Sequence, residues 1–204
     1  MRRRHEQIDD PATLERWLAD AVVGRLATID ENGYPVIKPV NFVYADGKIL
    51  FHSAAEGEKL DDIRRNDKVG FEIDKVLAIT PPLEVGCQTH CLFESVIIRG
   101  RARILDGTTE REAKERALHL LVKKYAPAMA ETRLKWVDQA AVVEISIEQI
   151  TGKEDLGQNW TPERKLTVAK MLYERDGPAA GLAIARLGVS IEEVAERSQG
   201  RKGP

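Results

Sequence analysis

Between Val22 and Ser53 the chain carries three short β-rich runs separated by two tight-turn signals, and this punctuation constrains the fold more than any other feature. Val22 to Ile29 and Val36 to Val43 flank Asp30-Glu31-Asn32-Gly33, and Asp46-Gly47 divides the second run from Lys48-Ile49-Leu50-Phe51-His52-Ser53. Asp, Asn and Gly accept the backbone angles that hairpin turns demand, so the segment reads as two successive hairpins and hence an antiparallel meander. Later stretches add to it. Val69 to Val76, Ser95 to Ile104 and Val142 to Ile147 have strand character, which brings the expected total to six strands and suits a small barrel.

Helical spacing fills the gaps. Leu14, Trp17 and Leu18 follow a proline start in residues 11–20, Leu60 and Ile63 recur within Gly57 to Asn66, and Ala113, Ala117, Leu120, Leu121 and Lys124 line one face of Thr109 to Tyr125. Beyond Gly152 the composition changes. Two helices separated by Asp176-Gly177-Pro178 are expected, then a short one opening at Ser190, then a disordered tail. The boundaries are accordingly residues 1–154 for a barrel domain and 155–204 for a helical C-terminal extension.

With 204 residues, one core plus an appendage is expected rather than two equal domains. No stretch approaches the roughly 18 uncharged apolar residues of a membrane span, and the basic start Arg2-Arg3-Arg4 runs into Asp9, Asp10 and Glu15 instead of an apolar signal region. A cytoplasmic protein that does not engage membranes is expected. A formal charge of −2 with interspersed signs argues against a nucleic-acid partner. Cys87 and Cys91 are too few for a disulfide framework. With His90 they suggest a zinc site on spacing alone, but no fourth ligand is near in sequence, so a loop leading into a strand with buried thiols is preferred and no metal is expected. Arg99, Arg101 and Arg103 alternate along one strand face, as a solvent or interface edge does.

Read in order, Gly24-Arg25-Leu26-Ala27-Thr28, Gly33-Tyr34-Pro35, Lys38-Pro39-Val40-Asn41-Phe42, Phe51-His52-Ser53, Gly57-Glu58-Lys59-Leu60, Asn66-Asp67-Lys68-Val69 and Phe93-Glu94-Ser95-Val96-Ile97-Ile98-Arg99-Gly100 resemble the barrel of the pyridoxamine 5′-phosphate oxidase-like flavoproteins. Phe-His-Ser and Glu-Ser-Val-Ile look most like the nitroimidazole-resistance branch. Ile150-Thr151-Gly152-Lys153 resembles the end of that core. Each block is weak alone; their order and spacing carry the resemblance.

The resemblance implies a six-stranded antiparallel FMN-binding split β-barrel with flanking helices, working as a homodimer with FMN at the subunit interface. It implies that Lys38, Pro39 and Val40 line the isoalloxazine, that Phe51, His52 and Ser53 meet the phosphate and ribityl region, and that Glu94 and Ser95 approach from a later strand. Lys59 would hold the phosphate, where a charge and free helical N–H groups coincide. His52, able to titrate near neutral pH, is the expected proton donor and catalytic residue. Glu58 stands where the true oxidases carry an arginine, and no C-terminal arginine-histidine block follows, so oxidase activity itself is not expected. The expected function is an FMN-dependent oxidoreductase reducing a small aromatic or nitro compound. The alternatives are a flavin carrier without turnover, or a haem-binding barrel with His52 or His90 as axial ligand.

Overall fold

The structure is a computed structural model and describes residues 4–83, 89–135 and 137–199. Arg2, Arg3, Cys87, Trp136 and the tail from Gly200 lie outside the described residues, and with them the expectations placed there. In chain order the elements are β1 (Gln7–Ile8), α1 (Pro11–Asp20), β2 (Gly24–Ile29), β3 (Pro35–Val40), β4 (Phe42–Ala45), β5 (Lys48–Ala54), α2 (Glu58–Arg65), β6 (Lys68–Ile79), β7 (Cys91–Ile104), α3 (Arg111–Tyr125), β8 (Ala140–Asp155), α4 (Pro162–Asp176), α5 (Gly181–Arg186) and α6 (Ile191–Gln199).

The strands form one sheet in the order β3-β2-β6-β7-β8-β5-β4, with β1 paired to β8, and the ladder does not close on itself. This is the mainly antiparallel split-barrel architecture with flanking helices that the sequence implies. Its strand count is eight rather than the six expected. One addition is the two-residue β1. The other arises because the run from Val36 to Val43 changes partner at Asn41. Val40 pairs with Gly24 of β2, whereas Phe42 pairs with Phe51 of β5. Pro39 has no N–H for a ladder just before this break, and beyond it the Phe42 N–H donates to Tyr125 Oη at 2.8 Å.

Both expected hairpins form. Asp30 accepts N–H bonds from Asn32 and Tyr34 at 2.8 Å each, closing the turn between β2 and β3. At the second turn Asp46 and Gly47 take φ of 52° and 74°, the left-handed angles that tight hairpins require.

By contacts the chain divides into two compact units: Asp9–Ile73 with Val96–Gly152, and Met1–Ile8 with Asp74–Ser95 and Lys153–Pro204. The first holds Leu26, Phe42, Ile49, Phe51, Phe71, Val143 and Ile145 in its core, where the Phe42 and Phe71 rings meet edge to face at 4.9 Å. Helix α1 buries Leu14, Trp17 and Leu18, and Asp10 caps it by accepting the Thr13 N–H at 2.9 Å. Helix α3 contributes Ala117 to a smaller cluster with Leu50, Leu105 and Val142.

The second unit packs Val168, Ala169 and Leu172 of α4 with Ala183 and Ile184 of α5, Val194 of α6 and Leu92 of β7. Thr161 caps α4 and Pro162 occupies its first turn. None of the described helices is long and apolar enough to cross a membrane.

Candidate functional site

β5 leads through Ala55, Glu56 and Gly57 into α2, and chemistry concentrates around this crossing. Gly57 takes φ 136°, a conformation that a side chain disfavours, immediately before the helix. No side chain caps α2. The N–H groups of Leu60 and Asp61 return to the Gly57 carbonyl at 2.8 and 3.3 Å, leaving the start of the helix without a side-chain acceptor. Lys59 sits in this first turn, half-buried; among the described residues no acidic partner engages it.

Ser53 is 9% exposed and its Oγ is buried without a hydrogen-bond partner. A buried hydroxyl left unpaired costs on the order of 1–3 kcal/mol.

Lys38, on β3, reaches α2 as well. Its Nζ is buried and lies 2.6 Å from Glu58 Oε2, a close ion pair without well-aligned hydrogen-bond geometry. A second tie joins the same elements, since Thr28 Oγ1 of β2 donates to Asp62 Oδ2 of α2 at 2.7 Å. The helix is thereby pinned to the β2–β3 hairpin. Gly24 belongs to the same hairpin, and its Cα faces the Phe71 ring so closely that an added Cβ would stand 2.0 Å from the ring carbon.

The expected site residues do not all converge. Lys59 lies in the first turn of α2, Lys38 reaches that turn through Glu58, and Ser53 lies on β5 five residues ahead of the helix. His52 is exposed and, by strand alternation, points to the face of β5 opposite Ser53, the face it shares with Leu50. Val40 is on the inward face of β3 beside Lys38, while Pro39 is exposed on the outward one. Phe51 is fully buried in the core. Glu94 and Ser95 fall in the other unit, where Arg186 of α5 pairs with Glu94, and Ser95 Oγ donates to the Lys153 carbonyl at 3.5 Å.

Two features were not anticipated from sequence. Glu58 was marked as a missing arginine but not as the partner of Lys38, and Lys124, expected on the packed face of α3, was not foreseen as a half-buried amine against Phe42 and Leu18. Its Nζ lies 4.2 Å from the Phe42 ring centroid and donates to the Leu18 carbonyl at 3.4 Å. Burial lowers its pKa to about 8. Neither relationship has a local spacing that reveals it.

An open, mainly antiparallel sheet with a short helix pinned across its first hairpin defines a split-barrel protein. The chain matches the family described as Pyridoxamine 5'-phosphate oxidase over residues 10–154 and belongs to it. It matches no curated protein sequence.

Three solved structures share the fold. A protein described as a 5-nitroimidazole antibiotic resistance protein from Bacteroides thetaiotaomicron is 23% identical, with a TM-score of 0.59 over 72% of this chain and 85% of that one. A flavocytochrome from Azotobacter vinelandii is 18% identical, with a TM-score of 0.65 over 75% and 72%. An FAD and haem binding protein from Mycobacterium smegmatis is 13% identical, with a TM-score of 0.65 over 74% of each chain.

Proposed function

We propose that this chain binds a flavin nucleotide by its phosphate at the start of α2 and works as a homodimeric oxidoreductase on small aromatic or nitro compounds. The observation that carries the reading is the buried, unpartnered Ser53 hydroxyl, five residues ahead in sequence of an uncapped helix whose first turn holds Lys59, which has no acidic partner among the described residues. A phosphate supplies the missing acceptor, and helix amides with a lysine are the donors it favours. FMN, the nucleotide implied by the resemblance, and FAD share the isoalloxazine and the proximal phosphate, and either satisfies this arrangement. Names of the fold relatives that include FAD, flavocytochrome and nitroimidazole resistance support the same reading.

A bound flavin supplies the electron-transfer chemistry. The chain's own part is to fix the phosphate with Ser53 and Lys59 and to offer Val40 and the β3 backbone to the ring. His52 serves as proton donor only to a substrate on the face of β5 opposite Ser53. Dimerisation belongs to the proposal because Tyr34 and Ile37, on the outward side of the β2–β3 hairpin, are 70% and 65% exposed.

The test is absorbance of the purified protein after flavin addition and gel filtration, beside Lys59→Ala and Ser53→Ala. Retained flavin peaks that weaken at least about tenfold in affinity in Lys59→Ala support the phosphate site. A native protein that retains no flavin overturns it. Turnover of a nitro compound with NAD(P)H separates an enzyme from a carrier, and Ile37→Asp followed by light scattering tests the dimer.

A further inference from the structure

The charge at the start of α2 is unusual for a group that is to hold a phosphate. Lys38 and Lys59 both come to this crossing, yet Glu58 lies 2.6 Å from Lys38 Nζ and cancels that cation. The other acidic residue of the first turn, Asp61, is already paired with Arg64 at 2.7 Å. Among the described residues, what this turn offers a ligand is the Lys59 ammonium, which no acidic side chain engages, and the partial positive charge of the helix start, with the neutral Ser53 hydroxyl on the preceding strand. Glu58 itself is more than half exposed.

A phosphate monoester carries about −1.5 to −2 charges at neutral pH, because its second pKa is near 6. In the pyrophosphate linkage of FAD each of the two esterified phosphorus atoms carries a single charge, so the proximal one is a monoanion. The Lys59 ammonium and a helix end balance the single charge, whereas the dianion needs the Lys38 cation that Glu58 neutralises. We infer that Glu58, by sequestering Lys38, sets the ligand class of this site: a flavin whose proximal phosphate is a singly charged diester, in preference to a monoester. The inference rests on the flavin reading above and narrows it. Glu58 acts here as a specificity-determining residue, and it does so through Lys38 rather than by gripping the ligand.

The probes are FAD as diester, FMN as monoester and riboflavin as the form without phosphate, titrated against the full chain by flavin fluorescence. At pH 7.5 FAD is expected to bind at least about tenfold tighter than FMN, one uncompensated charge at a partly buried site being worth about that much. FMN affinity should rise as the pH falls from about 7.5 to 5.5 and the monoester gains its proton, while FAD affinity changes little. Glu58→Gln frees Lys38, and the FAD-to-FMN preference should then fall by about tenfold.

The pH series needs only the native protein and stands even where the variant folds poorly. Equal or tighter binding of FMN at pH 7.5, with no gain on acidification, overturns the inference and leaves the flavin reading intact. Binding of none of the three probes overturns that reading and this inference with it. Riboflavin binding as tightly as FAD removes the phosphate from recognition and overturns the inference alone.

Discussion

Thr28 and Asp62 are each 1% exposed, and the threonine hydroxyl donates to the carboxylate at 2.7 Å across the gap between β2 and α2. Arg65 donates to the other carboxylate oxygen at 3.1 Å, so Asp62 is a buried charge held by two donors. Such a group stabilises only while its partners remain, because an unpaired buried polar atom keeps its desolvation cost. Asp62→Ala is expected to cost about 2–3 kcal/mol and Thr28→Val about 1–2 kcal/mol in urea unfolding. The double variant should fall short of the sum by about 1 kcal/mol. Strict additivity would show that the two residues do not share one interaction.

This tie also shows where sequence reading stops. The hairpins were legible because their determinants are adjacent: Asp30 binds amides two and four residues on, and Asp46-Gly47 carries the positive φ values itself. Lys59 was legible for the same reason, following a glycine turn into a helix. The division of β3 from β4 was not, since the Phe42 N–H is taken by Tyr125, 83 residues away. Nor was the pairing of Lys38 with Glu58, which depends on α2 lying across β3. His52 and Ser53 illustrate a third case. Their adjacency suggested one site, but a period of two sends neighbouring side chains to opposite faces of a strand.

Gly24 offers a steric test of the first hairpin. A Cβ built there would stand 2.0 to 2.8 Å from three carbons of the Phe71 ring, itself 1% exposed and packed edge to face on Phe42. The ring cannot retreat without opening the core. Gly24→Ala should therefore destabilise by roughly 1–3 kcal/mol through overpacking. Combining it with Phe71→Leu should restore part of the loss, and a thermal melt of the three proteins decides. An unchanged melting temperature for Gly24→Ala would mean the ring does not lie on the glycine.

In the second unit one guanidinium serves two carboxylates. Arg186 contacts Glu94 directly and Glu154 at 3.0 Å. Burial raises the Glu154 pKa, Arg186 partly opposes that rise, and the nearby Glu94 adds to it. The folded chain then holds a proton on Glu154 at a pH where the unfolded chain has released it. The resulting stabilisation is complete below the unfolded pKa and fades as pH climbs through the folded one. Glu154→Gln keeps the shape and removes the titration. Its stability relative to the native protein should improve between about pH 4 and 7. A relative stability that stays flat across that range would contradict the raised pKa.

Lys124 provides the opposite sign on the basic side. Its ammonium is half-buried, with the Leu18 carbonyl and the Phe42 ring as contacts, and burial brings its pKa from 10.5 to about 8. Between these values the unfolded chain binds a proton that the folded chain has given up. Stability attributable to this residue therefore rises with pH, from a full penalty below pH 8 to none above the unfolded pKa. Solvent reaches the half-exposed group, and attraction to the ring favours its charged form, so the effect should be about 1 kcal/mol. Lys124→Met removes the titrating amine. Chemical unfolding at about pH 7.5 and 10 should show the native protein gaining about 1 kcal/mol on the variant as pH rises. A difference that stays constant between the two pH values would place the Lys124 pKa back near that of an ordinary surface lysine.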